Sequence, residues 1–123
     1  MKDELFLRGA QVPMTKEAVR ALALAKLELH RARHLIDIGA GTGSVSIEAA
    51  LQNPALRVTA IERQADALRL LAENRQRFGC DNIAIVAGVA PLAVADKADA
   101  IFMGGSGGHL TCLLYTSPSP RDI

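Results

Sequence analysis

Apolar and polar positions along the chain follow two different periods, and the order of these periods predicts an α/β fold. Apolar residues recur at helical spacing over residues 15–29, 44–53 and 64–78. Short apolar runs typical of buried strands lie between and after these segments: HLIDI, RVTAI, NIAIV and ADAIFM. Strands that alternate with helices indicate parallel pairing through right-handed crossovers, so we predict a doubly wound, mostly parallel sheet.

Local signals mark the ends of the predicted helices. Thr15 can N-cap the first helix. Pro54 disfavours a helical conformation in the residue before it, which ends the second helix near Asn53, and Gly79 ends the third. The first helix would bury Val19, Leu22, Ala23 and Leu27, and the third Ala67, Leu68, Leu71, Ala72 and Phe78. The segment AGVAPLAVADK, between the last two predicted strands, has room for only a short helical turn.

Composition narrows the class of protein. The 123 residues are 50% hydrophobic and 22% charged, which fits one soluble domain with a core. A net charge of +1, 3% aromatic residues and no Trp argue against nucleic-acid binding. We expect no membrane span and no signal peptide, and therefore a cytoplasmic protein. Cys80 and Cys112 form neither a metal-ligand spacing nor a disulfide framework, so we predict no metal site.

A run of alternating glycines, Gly39, Gly41 and Gly43, lies between the first predicted strand and the second helix. In a doubly wound sheet this loop lies at the carboxyl edge, near the topological switch point where ligands bind. Glycine lets a ligand approach backbone atoms that a Cβ would screen. A tight turn is the alternative, but three alternating glycines exceed what a turn needs. We therefore predict a cofactor site at this loop.

The spacing of the glycines separates two cofactor classes. The dinucleotide fingerprint G-x-G-x-x-G needs a third glycine where Ser44 or Ser46 stands. Asp37, just ahead of the run, would repel a pyrophosphate but suits the ammonium and sulfonium groups of S-adenosylmethionine. Glu62 ends the second strand, where a carboxylate can accept hydrogen bonds from both ribose hydroxyls, although NAD would need the same. The alternative for Glu62 is a solvated residue that opens the next helix.

Five segments in order carry a family resemblance: PMTKEAVR, LIDIGAGTGSVSIEAA, AIER, NRQRFG and DAIFMGGSGG. They resemble the decarboxylating cobalt-precorrin-6B C15-methyltransferases of cobalamin biosynthesis and the C-terminal half of the precorrin-6Y methyltransferases. The resemblance covers about residues 7–111. The glycine motif alone specifies only a class I, Rossmann-like methyltransferase, whereas PMTK together with GGSGG points to this family. The resemblance implies S-adenosylmethionine-dependent methylation at C15 of a precorrin, with loss of carbon dioxide from the ring C acetate.

The resemblance also implies which residues hold the cofactor. Thr15 would close over it from the N-terminal segment, and Glu62 would hold the ribose. The methionine moiety would be surrounded by the loop Gly39, Ala40, Gly41, Thr42 and Gly43. Ala90 would lie beside the adenine. Val89 stands where the family pattern often has an acidic residue, so the adenine contact would be mainly apolar.

The second glycine loop follows the fourth predicted strand and opens onto the same edge of the sheet. Its residues are Gly104, Gly105, Ser106, Gly107 and Gly108. Their amides could bind a carboxylate of the tetrapyrrole, and the alternative is a glycine linker. His109 could transfer a proton or be an ordinary surface histidine. Arg8, Lys16 and Arg20 are candidates to hold other carboxylates, with solvated charges as the alternative. No catalytic residue is assigned.

The last segment, CLLYTSPSPRDI, has two prolines and no periodicity, and it resembles a translated transposase sequencing adapter. We therefore expect residues 1–111 to be the N-terminal part of an S-adenosylmethionine-binding domain truncated after about the fourth strand. Residues 112–123 would be a non-native, disordered tail, and the chain alone would be inactive. The resemblance implies a homotetrameric parent.

Other functions stay open at this point. They are another class I small-molecule methyltransferase, a nicotinamide-dependent oxidoreductase, which Ser44 and Ser46 disfavour, and a non-catalytic nucleotide-binding module.

Overall fold

The computed structural model describes residues 1–89 and 98–104, which form a four-stranded sheet with three helices. The helices are α1 (Glu17–Leu27), α2 (Ser44–Gln52) and α3 (Ala65–Phe78). The strands are β1 (His34–Ile38), β2 (Arg57–Glu62), β3 (Ile83–Ala87) and β4 (Ala100–Met103). Each of the four predicted strands is present. The predicted helical turn, Ala90 and the predicted tail 112–123 lie outside the described residues in whole or in part.

All four strands are parallel, in the order β3-β2-β1-β4. The register places Ile36 of β1 beside Thr59 of β2 on one side and Ile101 of β4 on the other. The chain adds β2 and β3 on one side of β1 and returns to place β4 on the other side. The strand order therefore reverses at β1, which confirms the parallel α/β sheet and puts a switch point between the carboxyl ends of β1 and β4.

The main core lies between one face of the sheet and the three described helices. Alternate strand residues point to this face, because side chains of a strand alternate between the two sides. The core includes Leu35, Val58, Ile83 and Phe102 from the sheet and Leu24, Leu27, Ile47 and Leu71 from the helices. The opposite face carries a second apolar cluster of Ile36, Ile61, Ala98 and Ile101. Within residues 1–89 and 98–104, no helix is long and apolar enough to cross a membrane.

Helix α1 differs from its prediction at its start and on its buried face. Lys16 is the N-cap residue and makes no side-chain cap bond, so the prediction that Thr15 caps the helix is wrong. The buried stripe is Arg20, Ala23, Leu24 and Leu27. Leu22, predicted to be buried, is 59% exposed. Ala23 and Leu27 are buried as predicted, whereas the pattern missed Leu24 and, because it is charged, Arg20.

Helices α2 and α3 begin and end close to their predicted positions. Helix α2 stops at Gln52, before the Asn53-Pro54 pair, and Gly79 follows α3 in a left-handed conformation. Gly43 precedes α2 with φ +86°, and a Cβ there would lie 2.4 Å from Leu71 Cδ1. This glycine therefore lets α2 pack closely against α3. On α3, Leu70 and Asn74 are buried, whereas Ala72 is exposed, contrary to prediction.

Candidate functional site

A cleft of about 1130 Å³ lies at the carboxyl ends of all four strands. Small-molecule pockets typically have volumes of roughly 300–1,000 Å³, so the cleft is large enough for a nucleoside-type ligand. Its sheet side is lined by Ile38, Gly39, Ala40, Gly41, Ile61, Glu62, Gly88, Val89, Met103 and Gly104. A smaller cavity of about 320 Å³, next to the end of α1, contains none of the predicted site residues.

The glycine loop after β1 is held to the sheet through its backbone. The amides of Gly39 and Ala40 donate to the Ile61 carbonyl at 2.9 and 3.1 Å. Gly41 has φ +60°, and a Cβ there would lie 2.9 Å from the Pro13 carbonyl oxygen. The loop thus passes so close to the N-terminal segment that a side chain at position 41 would collide with its backbone.

The five predicted loop residues divide into two groups. Gly39, Ala40 and Gly41 line the cleft. Thr42 and Gly43 lie behind it, and Thr42 is buried with a hydroxyl that has no hydrogen-bond partner among the described residues. The structure therefore brings the first three loop residues to the cleft wall and leaves the last two in the packing below.

Glu62 lies at the cleft wall and is 7% exposed. Its Oε1 accepts from the Gly41 amide at 2.8 Å, and its Oε2 accepts from the Arg63 and Gln64 amides at 3.0 and 2.9 Å. One carboxylate therefore joins the glycine loop to the start of α3. This burial does not fit the alternative of a solvated residue.

Asp37 lies below the loop and does not line the cleft. It is 1% exposed, and its Oδ2 accepts from the Ser46 hydroxyl at 2.6 Å. Burial raises the pKa of Asp37 to about 7; hydrogen bonds from Ser46 oppose the shift and the nearby charge of Glu62 adds to it. Asp37 therefore lies near Glu62 but behind the cleft wall, not among the residues that line the cleft. The alternation of side chains along β1 could have predicted this burial, because Asp37 lies on the same face of the sheet as Leu35, and α2 covers that face.

The opposite wall of the cleft is formed by residues 7–16, which we name the N-terminal strap and which include a turn where the Val12 amide donates to the Gly9 carbonyl. Its residues 8–16 line the cleft, Thr15 among them. Sequence reasoning named Arg8, Thr15 and Lys16 here and missed the other strap residues, because the strap has no hydrophobic period. Arg63, Gln64 and Ala67 also line the cleft and were not predicted.

Arg20 is fully buried and holds the beginning and end of the N-terminal segment together. Its guanidinium donates to Glu48 Oε1 at 2.9 Å, to Asp3 Oδ1 at 3.0 Å and to the Thr15 and Met1 carbonyls. The candidate role of Arg20 in binding substrate carboxylates is therefore wrong, because its charge is already paired. Arg8 and Lys16, the other two candidates, line the cleft and are exposed.

The second glycine loop is described only at its first residue. Gly104 lines the cleft, and its amide donates to the Ile38 carbonyl at 3.0 Å. A Cβ at Gly104 would lie 3.1 Å from the Gly39 carbonyl oxygen, so the two loops approach each other at the switch point. The other predicted residues, Ala90, Gly105, Ser106, Gly107, Gly108 and His109, lie outside the described residues, and their roles stay predictions.

Comparison with known proteins adds independent information about this cleft. A family profile described as "Precorrin methyltransferase domain" matches residues 4–117. The chain is 77% identical over 114 residues to a cobalt-precorrin-6B C(15)-methyltransferase (decarboxylating) of Salmonella typhimurium, a match that covers 93% of this chain and 59% of the relative. The chain thus spans about three fifths of the length of this curated relative.

Two solved structures have the same architecture. One is a precorrin-6Y C5,15-methyltransferase from Geobacter metallireducens, with 38% identity and a TM-score of 0.77 over 88% of this chain and 58% of that one. The other is a precorrin 8W decarboxylase from Methanobacterium thermoautotrophicum, with 34% identity and a TM-score of 0.75 over 88% of this chain and 59% of that one.

Proposed function

The chain belongs to the precorrin methyltransferase family, and from this premise we propose that its cleft binds S-adenosylmethionine for methylation of a precorrin-type tetrapyrrole. The architecture is that of the class I, Rossmann-like methyltransferases. The single observation that carries the proposal is the pairing of Glu62 with Gly41 at the cleft wall. It puts a buried carboxylate beside a glycine-rich loop, at the switch point of a parallel sheet.

The residues present fit this cofactor. Gly39 and Gly41 line the cleft and have no Cβ to screen their backbone, so a ligand can approach it closely. Among the described residues, Oε1 of Glu62 accepts only from the Gly41 amide, so its second lone pair could accept from a ribose hydroxyl. Ile38, Ile61 and Met103 add apolar surface to the same cleft. We assign Gly39, Ala40, Gly41 and Glu62 as the direct cofactor contacts, and Asp37, Thr42 and Gly43 as residues that support the loop.

The chemistry needs orientation more than acid or base catalysis. S-adenosylmethionine, when bound, supplies a methyl group already activated by a sulfonium centre. The residues of this chain would hold the reacting carbon in line with that methyl group and keep water out, and such positioning can account for much of a rate enhancement. Thr15 and the strap would close the cleft from the N-terminal side. No residue of the chain is assigned as an acid or a base.

The cleft also suits a substrate that carries several carboxylates. Arg8, Lys16 and Arg63 line it, and within the described residues none of these three cations is in an ion pair. Glu62, the acidic residue among the described lining residues, already accepts from three amides. The cleft therefore has an excess of positive charge in a chain whose net charge is only +1. We propose that these cations bind tetrapyrrole carboxylates, and that the amides of residues 104–108 bind another.

The specific reaction that we propose is based on the names of the relatives. The Salmonella protein is named as a C15-methyltransferase that decarboxylates, so we propose the same reaction for the enzyme of which this chain is part. Burial of the ring acetate without a cationic partner would favour its loss as carbon dioxide. We further propose residues 1–111 as the cofactor-binding domain of a cytoplasmic homotetramer that uses neither nucleic acid nor membrane as a partner.

Thermal unfolding with different cofactors tests the proposal. A ligand that binds only the folded state, present at 100 times its Kd, adds about 2.7 kcal/mol of stability. We expect S-adenosylhomocysteine to raise the Tm of the chain by several degrees and NADH to leave it unchanged. Stabilisation by NADH alone would instead support the oxidoreductase hypothesis. Stabilisation by adenosine as strong as that by S-adenosylhomocysteine would support a nucleotide-binding module.

A further inference from the structure

Asn74 of α3 is fully buried where the strap meets the glycine loop. Its Oδ1 accepts from the Leu7 amide at 2.8 Å, and its Nδ2 donates to the Leu7 carbonyl at 3.0 Å. The same Nδ2 donates to the Thr42 carbonyl at 2.9 Å. A single carboxamide therefore bonds to both walls of the cleft, the strap through Leu7 and the glycine loop through Thr42.

The strap and the loop also meet directly. The Pro13 carbonyl oxygen lies 2.9 Å from the position of a Cβ on Gly41, so the two backbones are in close contact. Below this contact, Leu7 and Val12 of the strap pack with Ala67 and Leu70 of α3. Helix α3 thus fixes the separation of the strap and the glycine loop, through apolar packing and through the Asn74 carboxamide.

We infer that Asn74 is a positioning residue that keeps the strap and the glycine loop in the relative position that cofactor binding requires. The inference rests on the proposed function, because Asn74 would set the distance between the two walls of the proposed cofactor cleft. Asn74 does not line the cleft, so it acts through Leu7 and Thr42. A carboxamide suits this place because it supplies two donors and an acceptor without a charge to bury.

Asn82 offers a matched control elsewhere in the fold. Its Nδ2 donates to the carbonyls of Ala50, Asn53 and Leu56 at 3.3, 3.5 and 2.8 Å. It precedes β3, at the end of the sheet opposite the cleft. Like Asn74, it ties separate backbone segments together from one side chain, so Asn82→Asp removes a similar set of donors without touching the strap or the loop.

The experiment compares wild type, Asn74→Asp and Asn82→Asp in the full 123-residue chain. Asn74→Asp keeps the acceptor for the Leu7 amide but places oxygens against the Leu7 and Thr42 carbonyls. We expect it to raise the Kd for S-adenosylhomocysteine about tenfold or more, the effect of losing about one buried hydrogen bond. Amide exchange without ligand should speed up in both the strap and residues 41–42. Asn82→Asp should lower the Tm while leaving the Kd and the exchange at these two places unchanged.

The outcomes separate the inference from the proposed function. If the wild-type chain does not bind S-adenosylhomocysteine, the proposed function is wrong. If it binds, and Asn74→Asp binds equally well or shows faster exchange in only one of the two walls, Asn74 does not position them. Should Asn74→Asp fail to fold, Asn74→Ser keeps one donor and buries no charge. A wild-type Kd for this variant would likewise overturn the inference.

Discussion

Glu62 and Asp37 are two carboxylates near one loop, but they have different partners. Glu62 accepts from three backbone amides, whereas Asp37 accepts from a serine hydroxyl in a fully buried position. Burial without a cation raises the pKa of Asp37 to about 7. The first carboxylate therefore organises the cleft wall, and the second is a buried acid that titrates near neutral pH.

Glu62→Ala should weaken binding of S-adenosylhomocysteine by about 1–3 kcal/mol, because hydrogen-bond partners at the cleft wall lose their acceptor. It should also lower the free energy of unfolding, since the amides of Gly41, Arg63 and Gln64 lose the same acceptor. Calorimetric titration measures the first effect and urea unfolding the second. Glu73→Ala is the control, because that carboxylate is about half exposed on α3 and outside the cleft. An unchanged affinity for Glu62→Ala would remove Glu62 from the site.

Asp37→Asn should change how stability depends on pH. The pKa of Asp37 rises from an ordinary 3.8 to about 7 on folding, so between these values the folded state binds the extra proton. The contribution of Asp37 to stability therefore falls as pH rises from about 4 to 7. Between pH 5 and pH 8 this loss amounts to about 2–3 kcal/mol.

Urea unfolding of both proteins at pH 5 and pH 8 measures this difference. Asparagine keeps an acceptor for the Ser46 hydroxyl but does not titrate. The free energy of unfolding of the variant, relative to that of wild type, should therefore be higher at pH 8 than at pH 5 by about 2–3 kcal/mol. Burial raises the pKa of the Cys80 thiol above its ordinary 9.0, so both pH values lie below it. Parallel pH curves for wild type and Asp37→Asn would contradict the shifted pKa.

At the scale of elements, Arg20 connects α1 to α2 and to the N-terminal segment. It bonds to Glu48 on α2, to Asp3 in the first turn of the chain and to the Thr15 carbonyl at the end of the strap. The guanidinium also lies over the Phe6 ring, 5.0 Å from its centroid. The strap is therefore fixed at its end by Arg20 and near its beginning by Asn74.

Arg20→Ala should lower the free energy of unfolding by about 3 kcal/mol or more, because it leaves two partly buried carboxylates and two carbonyls without their partner. The strap should become accessible to proteases before the rest of the chain unfolds. Urea unfolding and limited proteolysis measure these effects. Arg69→Ala removes an exposed i,i+4 pair with Glu73 and should change stability by less than about 0.5 kcal/mol. Equal losses in the two variants would show that Arg20 does not hold the strap.

Across the whole molecule, the charges nearly balance, but positive charge is concentrated at the cleft. The net charge of +1 gives no broad field, yet three cations line one cleft. Attraction of an anionic substrate should therefore depend on short-range contacts at the cleft. Such contacts between exposed charges are screened by salt, with a Debye length of about 10 Å at 0.1 M and about 3 Å at 1 M.

A polycarboxylate porphyrin such as uroporphyrin can test this charge distribution. The Kd of the porphyrin should rise several-fold between 0.05 M and 0.5 M NaCl, whereas that of S-adenosylhomocysteine should change little. Removing Arg8 and Lys16 together should weaken porphyrin binding by about 0.5–2 kcal/mol and flatten its salt dependence. Fluorescence titration measures both. Arg57→Ala is the control, because Arg57 is exposed at the start of β2, away from the cleft. An equal effect of Arg57→Ala would refute a local cation site.

Local sequence signals were enough to predict the strands, the helices and the edge of the sheet where the candidate site lies. These signals are the apolar runs of the strands, the apolar periods of the helices, and the helix ends at Pro54 and Gly79. Each depends only on residues close in sequence, so it can be interpreted without knowing the rest of the fold. Once the strands were predicted to be parallel, their carboxyl ends had to share one edge. The positions of Gly39, Gly41 and Glu62 at that edge followed from this argument.

The tertiary structure alone decided which polar groups are buried and what forms the second wall. Arg20 and Glu48 are 28 residues apart, and Leu7 and Asn74 are 67 apart. No local pattern indicates that such residues will meet, because their burial is tolerable only after distant partners satisfy their hydrogen bonds. Likewise, whether the Asp37 side chain is buried or lines the cleft depends on which face of the sheet the helices cover. The strap became a cleft wall only because α1 and α3 hold its backbone against the glycine loop.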